Sequence, residues 1–387
     1  MSLYLDEPAE PIATLGFRVA GWVACDDPEA PIAVTVNDRR MAHMLHPRPD
    51  VVRAFPEVRF VRGVVAQGDA RLLDGAADVE IALACGAERI ARRVPLAPEL
   101  HASAAAERML RAEARAWCLE RLRCPVCAAP RGRLEIGAAQ IVCDACATVF
   151  PQGPGAIDML TPALRARASA VATENVSANP YETWAQLLIN ETTARGGWVL
   201  DCGAGSRPER ARHVVNVEIV DYPATDVLAA GEALPFADGV FDGVVSLAVL
   251  EHVRDPFACA RELLRVAKPG ATLVVSVPFL QPVHGYPGHY YNMTQQGLLN
   301  LFGEAAEVVE CAVPPNGHPI LGLQWLAREY LEGLPEPARS RLAAMRLDEV
   351  AAMAPLAALA DPVARDLPQS AQGVIACLNS ARLRKRG

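Results

Sequence analysis

The chain has 387 residues, enough for two or three domains of ordinary size, and its 51% hydrophobic content excludes a mainly disordered protein. A formal net charge of −8 argues against nucleic acid as the main partner, because that binding rests on a basic footprint; a local basic patch is still compatible with it. No apolar run reaches the roughly 18 residues of a membrane span, and the first ten residues lack the basic and apolar regions of a signal peptide. Eleven cysteines fit a reducing compartment if some bind metal and the rest are buried thiols, so a cytoplasmic protein is expected.

Residues 1–97 read as an all-β, sandwich-like domain. Short runs at 16–24, 32–36, 58–65, 79–84 and 89–94 alternate or cluster apolar residues, with turn signals such as Asp26-Asp27-Pro28 between them. The segment resembles the β modules found beside bacterial glycosyltransferases and sugar-modifying enzymes. That resemblance implies glycan or partner binding through aromatics such as Trp22; the alternative is that Trp22 belongs to the core.

At 98–123 the period changes to a helical one, with Met109, Leu110, Ala114, Trp117, Cys118 and Leu122 on one face. Glu107, Arg111 and Arg115 fall on another face and are expected to be solvated on a connecting helix. Cys124-Pro125-Val126-Cys127 and Cys143-Asp144-Ala145-Cys146 follow, separated by 15 residues. Paired C-x-x-C turns at this spacing are the signature of a closed, structural Zn²⁺ site on Cys124, Cys127, Cys143 and Cys146. With Phe150-Pro151-Gln152-Gly153 and Ile157-Asp158-Met159-Leu160, the segment 124–160 resembles the small zinc-ribbon proteins that activate tRNA and protein methyltransferases. The other seven cysteines lack partners at ligand spacing and read as buried thiols. Residues 161–179 read as a linker with some helical tendency, and Asn179-Pro180 introduces a helix from 181 to 193.

Trp198-Val199-Leu200-Asp201-Cys202-Gly203-Ala204-Gly205-Ser206 reads as a buried strand ending in an acid, then a tight glycine turn where backbone approaches a ligand. A dinucleotide pyrophosphate needs a third glycine and free N–H groups at a helix start, and Pro208 stands in that place. S-adenosylmethionine carries no phosphate and loses nothing by this. Only 207–213 separates the loop from the next apolar run, 214–219, room for a turn or two of helix. Glu218 lies near the offset at which a carboxylate meets ribose hydroxyls.

Leu234-Pro235-Phe236, Phe241-Asp242, Leu250-Glu251-His252 and Lys268-Pro269-Gly270 then occur in order. This set resembles the class I S-adenosylmethionine-dependent methyltransferases, in the branch carrying L-P-F, F-D, L-E-H and L-K-P-G. The resemblance covers 180 to about 313. It implies an α/β fold with a Rossmann-like seven-stranded sheet in a domain spanning 180–387, and cofactor binding by Asp201, Gly203, Ala204, Gly205, Glu218, Glu232 and Leu234. The family's usual adenine-binding Asp is replaced by Ala230, which leaves that contact to Glu232 or to backbone.

The loop 278–294 leaves the same edge of the sheet and holds His284, His289, Tyr286, Tyr290 and Tyr291. A neutral imidazole can take the proton from an acceptor hydroxyl, so His284 and His289 are candidate bases, with His252 a further one that more often orients its loop. A sixth strand is expected near 307–313 and a seventh at 373–378, with helices at about 319–370 inserted between them as a lid or a homodimer surface. The basic tail 382–386 reads as a solvated charge run. The expected activity is O-methylation of a small molecule or of a sugar or glycan intermediate. The alternative is an inactive methyltransferase-like scaffold that docks partners.

Overall fold

The computed structural model describes residues 2–8, 11–25, 27, 30–41, 43–54, 60–70, 76–153, 155–169, 180–285 and 288–376. Two four-stranded antiparallel sheets come first. One sheet orders Ser2–Glu7, Gly16–Cys25, Phe60–Asp69 and His43–His46; the other orders Arg39–Met41, Ile32–Val36, Asp78–Cys85 and Glu88–Pro95. Their inward residues, among them Phe17, Val23, Val34, Val64, Ile81 and Val94, share one core, as period-two alternation requires of paired sheets. A short helix, Pro49–Ala54, interrupts the β structure. Trp22 is half-buried and stacks on Tyr4 at 5.9 Å, and Tyr4 itself is exposed.

Helix Pro98–Arg121 starts with proline in its first turn, where the missing N–H costs nothing. It is no free spacer. Trp117 stacks on Trp198 at 4.5 Å, and Trp198 in turn stacks on His213 at 4.7 Å. The face expected to be solvated is in part buried: Glu107 is 6% exposed and its Oε2 lies 3.2 Å from Arg210 Nε.

Leu134–Ile136, Gln140–Cys143 and Val149–Pro151 form a three-stranded antiparallel sheet that carries the two cysteine turns. Ile157–Asp158 then leaves this unit and pairs in parallel with Val227–Leu228. The larger sheet thus has six strands, in the order Ile157–Asp158, Val227–Leu228, Val214–Glu218, Val199–Cys202, Phe241–Leu247, Ala267–Ser276, all paired in parallel. The inner strands Val199–Cys202 and Val214–Glu218 are almost wholly buried, with Leu188 and Ile189 of helix Thr183–Ala194 packed against Val199 and Val214, and Leu263 and Val266 of helix Pro256–Val266 in one core with Leu200 and Val244. Phe150, Ile141 and Leu134 of the small sheet belong to the same hydrophobic core as Val215, Leu200 and Val244 of the large one.

Four expectations need correction. The sheet is not seven-stranded among the described residues: 307–313 is irregular, with Val309 89% exposed, and pairs with no strand. Residues Gln369–Ile375 are helical, packing Ala371 against Gly333, where an added Cβ would come within 2.6 Å of the Ala371 methyl. The helices after 318, beginning with Pro319–Gly333, therefore follow the sheet and are not inserted between two of its strands among the described residues. No helix forms between Gly203 and His213; turns and bends carry the chain over. Cys377, the end of the expected seventh strand and the basic tail lie outside the described residues, as does Tyr286.

Candidate active site and four-cysteine centre

Strand order reverses at the central strands Val199–Cys202 and Phe241–Leu247, and ligands of open α/β sheets bind beyond the carboxyl ends of strands at such a point. A cleft of about 920 Å³ opens there. Its wall includes Gly203, Ala204, Gly205, Glu218 and Glu232 on one side and His252, His284 and Trp325 on the other. No helix among the described residues is long and apolar enough to cross a membrane.

Asp201 is fully buried at the end of its strand. Its Oδ2 accepts from the Tyr181 hydroxyl at 2.7 Å and from Arg207 Nε at 2.9 Å, while Oδ1 has no partner. The Arg207 guanidinium lies 4.0 Å over the Tyr181 ring, and the Asp201 charge raises its pKa against the opposing effect of burial. Both residues line the cleft. Tyr181 and Arg207 had no sequence signal beyond their nearness to the glycine loop.

Gly203 and Gly205 have φ of 76° and 64°, a region L side chains rarely adopt. At Gly203 a Cβ would also fall 2.3 Å from Val249 Cγ2. Glu218 accepts from Gly205 N at 2.9 Å and from Ile219 N at 2.7 Å, so its carboxylate ties the loop to the second strand. Burial pushes that carboxyl up and these two N–H groups pull it down. Leu234 sits elsewhere: it is 1% exposed in the core, and Glu262 and Arg265 take its backbone N–H and carbonyl. Ala230 is buried as well.

These groups fit S-adenosylmethionine by their chemistry. Asp201 keeps one buried carboxylate oxygen without a partner beside Arg207, which lines the cleft, a charge pair suited to a zwitterionic amino-acid end, and the positive-φ glycines leave no Cβ where protein backbone lines the cleft. If the turn admits that cofactor, changing Gly203 to Ala should abolish its binding in calorimetry, since the new methyl must displace Val249 and the residue must hold a strained φ.

At the far end, Tyr290 N donates to the Glu251 carbonyl at 2.7 Å, folding the 278–294 loop back onto the strand end. His252 Nδ1 lies 2.6 Å from the Gly288 carbonyl oxygen, and His284 Nδ1 lies 2.8 Å from that of Pro282. A carbonyl only accepts, so the heavy-atom geometry assigns a proton to each Nδ1 and a lone pair to each Nε2. Burial lowers the pKa of both rings. His289 differs: its Nδ1 accepts from His284 N at 3.1 Å and its Nε2 meets Asn292 Oδ1 at 2.9 Å, leaving neither nitrogen free. Glu251 is 0% exposed, and burial pushes its carboxyl up to about 8. Trp325, on Pro319–Gly333, stands 5.0 Å from the His284 ring and brings that helix over the cleft.

The four cysteines stand apart from this cleft. Cys124 Sγ lies 3.8 Å from Cys146 Sγ, and Cys127 Sγ 3.6 Å from Cys143 Sγ, with all four sulfurs within 4.8 Å of one another. A tetrahedron with Zn–S bonds of about 2.3 Å has edges of about 3.8 Å. Each turn ends on a residue at positive φ, Ala128 at 60° and Ala147 at 58°, so the two knuckles repeat one backbone shape. The Thr148 hydroxyl, 3.1 Å from Cys146 Sγ, lowers that thiol to about 6. Cys25, Cys85, Cys118, Cys202 and Cys259 are buried thiols, and Cys311 is half-exposed.

In this parallel sheet the central strand Val199–Cys202 contains the buried Asp201 and runs into the glycine turn, opening on the cleft. Residues 202–275 match the family described as a methyltransferase domain. An uncharacterised methyltransferase of Mycobacterium sp. strain KMS is 35% identical over 130 residues, which cover 29% of this chain and 51% of the relative. An uncharacterised methyltransferase of Mycobacterium leprae strain TN is 39% identical over 116 residues, covering 30% of this chain and 40% of the relative. The chain thus spans about half, or less, of the length of the curated relatives it matches. Among solved structures, the [4+2]-cyclase SpnF is similar with 19% identity and a TM-score of 0.30, over 48% of this chain and 73% of its own.

Proposed function

We propose that the protein is an S-adenosylmethionine-dependent methyltransferase acting on a hydroxyl of a small molecule or of a sugar or glycan intermediate. The observation that carries the reading is the single cleft that joins the glycine loop to His252 and His284. Asp201 and Arg207 face the amino-acid end of the cofactor, Gly203, Ala204 and Gly205 admit it, and Glu218 and Glu232 meet its ribose and adenine. Residues 1–97, 98–123, 124–160 and 180–387 serve as β domain, connecting helix, ribbon and methyltransferase domain, with Zn²⁺ held by Cys124, Cys127, Cys143 and Cys146. The helices after 318 cover the acceptor side, as Trp325 indicates.

In this reading the cofactor supplies an electrophilic methyl group. The chain's own part is to exclude water, to hold the acceptor in line, and to assist loss of its proton through His284. Calorimetry with S-adenosylmethionine and its demethylated product tests the first step; a folded protein that binds neither sinks the reading. With labelled cofactor and fractionated extract as the source of acceptor, His284→Ala should lower turnover by ~10²- to 10⁴-fold and leave cofactor affinity unchanged. His289→Ala should act only through the placement of His284, and wild-type turnover in both variants would reduce the histidines to pocket wall.

A further inference from the structure

Apart from the four cysteines, a second cluster of potential metal ligands stands among the described residues. Ligand atoms of Glu251, His252 and His284 lie within 4.8 Å of one another. Glu251 is fully buried and neither of its carboxylate oxygens has a hydrogen-bond partner. Its Oε1 faces His252 Nε2 at 3.7 Å. Buried carboxylates without partners are rare and call for a specific cause.

The outer hydrogen bonds sharpen the point. Both imidazoles commit their Nδ1 protons to backbone carbonyls, of Gly288 and of Pro282. With Glu251 ionised, the cluster therefore gathers lone pairs from three side chains and no uncommitted donor. A proton on Glu251 would satisfy one of those lone pairs and a water would satisfy two. A divalent cation satisfies all three and offsets the cost of burying the carboxylate.

We propose that Glu251, His252 and His284 form a binding site for a divalent first-row transition-metal ion at the acceptor end of the cleft, separate from the four-cysteine centre. Two imidazoles and one carboxylate suit such an ion and leave positions open toward the cleft. The carbonyls of Gly288 and Pro282 are the partners that ligating histidines need to fix ring and tautomer. Gly285, at φ 75°, lets the loop close over the site; a Cβ there would lie 2.5 Å from His252 Cε1.

The chemical role of the ion rests on the methylation reading above. The acceptor hydroxyl enters as a further ligand and releases its proton to solvent. Its oxygen then forms the new C–O bond as the S–CH₃ bond breaks, and the bonding pair stays on sulfur. His284 assists as a ligand, and the proton passes to water instead of to its ring.

The test uses the full chain, stripped of metal, reloaded with one equivalent of Zn²⁺ to fill the thiolates, then titrated with Co²⁺ and followed by visible absorption. A second equivalent should bind with the weak d–d bands of a nitrogen and oxygen site and without the intense thiolate charge-transfer band. His284→Ala and Glu251→Gln should each weaken it by at least ~100-fold, the upper end of what outer-shell changes cost, and His46→Ala should leave it intact. Cobalt uptake confined to the thiolates, or a second equivalent that survives both changes, overturns the proposal. His284 lies on a loop, so its variant remains informative if Glu251→Gln fails to fold. Cofactor calorimetry on the same samples keeps the two readings apart: cobalt bound without cofactor affinity would sink the methylation reading and leave the ion site standing.

Discussion

With Zn²⁺ on the four cysteines as proposed, changing Cys143 to Ser should remove one metal equivalent and lower the melting temperature of the large sheet along with that of the ribbon. Structural zinc contributes about 10–16 kcal/mol of apparent folding free energy to isolated zinc-finger peptides. Here part of that is replaced by the apolar support the ribbon already has, since Leu134, Ile141 and Phe150 share a core with Phe236 and Leu200. The same continuity spreads the damage: loosening the cysteine turns loosens the seat of Phe150, which is 0% exposed. Metal analysis and calorimetric melting check both halves of the expectation. Protein that contains no zinc, and whose four-serine variant melts at the wild-type temperature, would show the ribbon to be metal-free.

Arg210→Met should destabilise the protein by about 3–5 kcal/mol, the usual cost of stranding buried charges by removing their partner. Arg210 pairs with Asp226 and with Glu107, and all three side chains are at most 7% exposed. Its guanidinium also donates to the carbonyls of Pro223 and Thr225 at 3.2 and 3.3 Å, so one side chain joins the 98–121 helix to the turn before the Val227–Leu228 strand. Asp226 Oδ2 in turn accepts from Asn216 N at 2.9 Å. Denaturant unfolding measures the loss. Arg18→Ala, which breaks an exposed pair with Glu7, is the control and should cost ~0–1 kcal/mol. Equal effects from the two changes would mean that the buried cluster is solvated in solution.

The glycine turn and the paired cysteine knuckles were legible in the sequence because each depends on residue types that few other structures require. Asp201, Gly203 and Gly205 announce a close backbone approach, and the cysteine spacing announces convergence of four sulfurs. The motif position of Leu234 marks where it falls along the chain, not which way it turns, and its side chain lies in the core. The run at 373–378 read as a strand because a short apolar segment has no period to separate strand from helix; its described part is helical as far as Ile375, in a helix whose Ala371 packs on Gly333. Glu251 could be seen as part of a motif, but its lack of partners is a property of the packing around it. The Arg210 cluster joins residues more than a hundred positions apart, a pairing that charge pattern alone does not specify.

The two residues Ile157–Asp158 give the molecule an order of assembly. They form the outermost strand of the large sheet, yet they are synthesised before any of the strands they accompany. A fragment cut to begin at residue 180 would keep the glycine turn and the histidines but expose the backbone of Val227–Leu228 along an open edge. Such an edge is a template for pairing with another chain. The segment that follows the four-cysteine unit is thus a built-in shield for the edge of the large sheet, and a recombinant fragment trimmed at residue 180 would trade solubility for brevity.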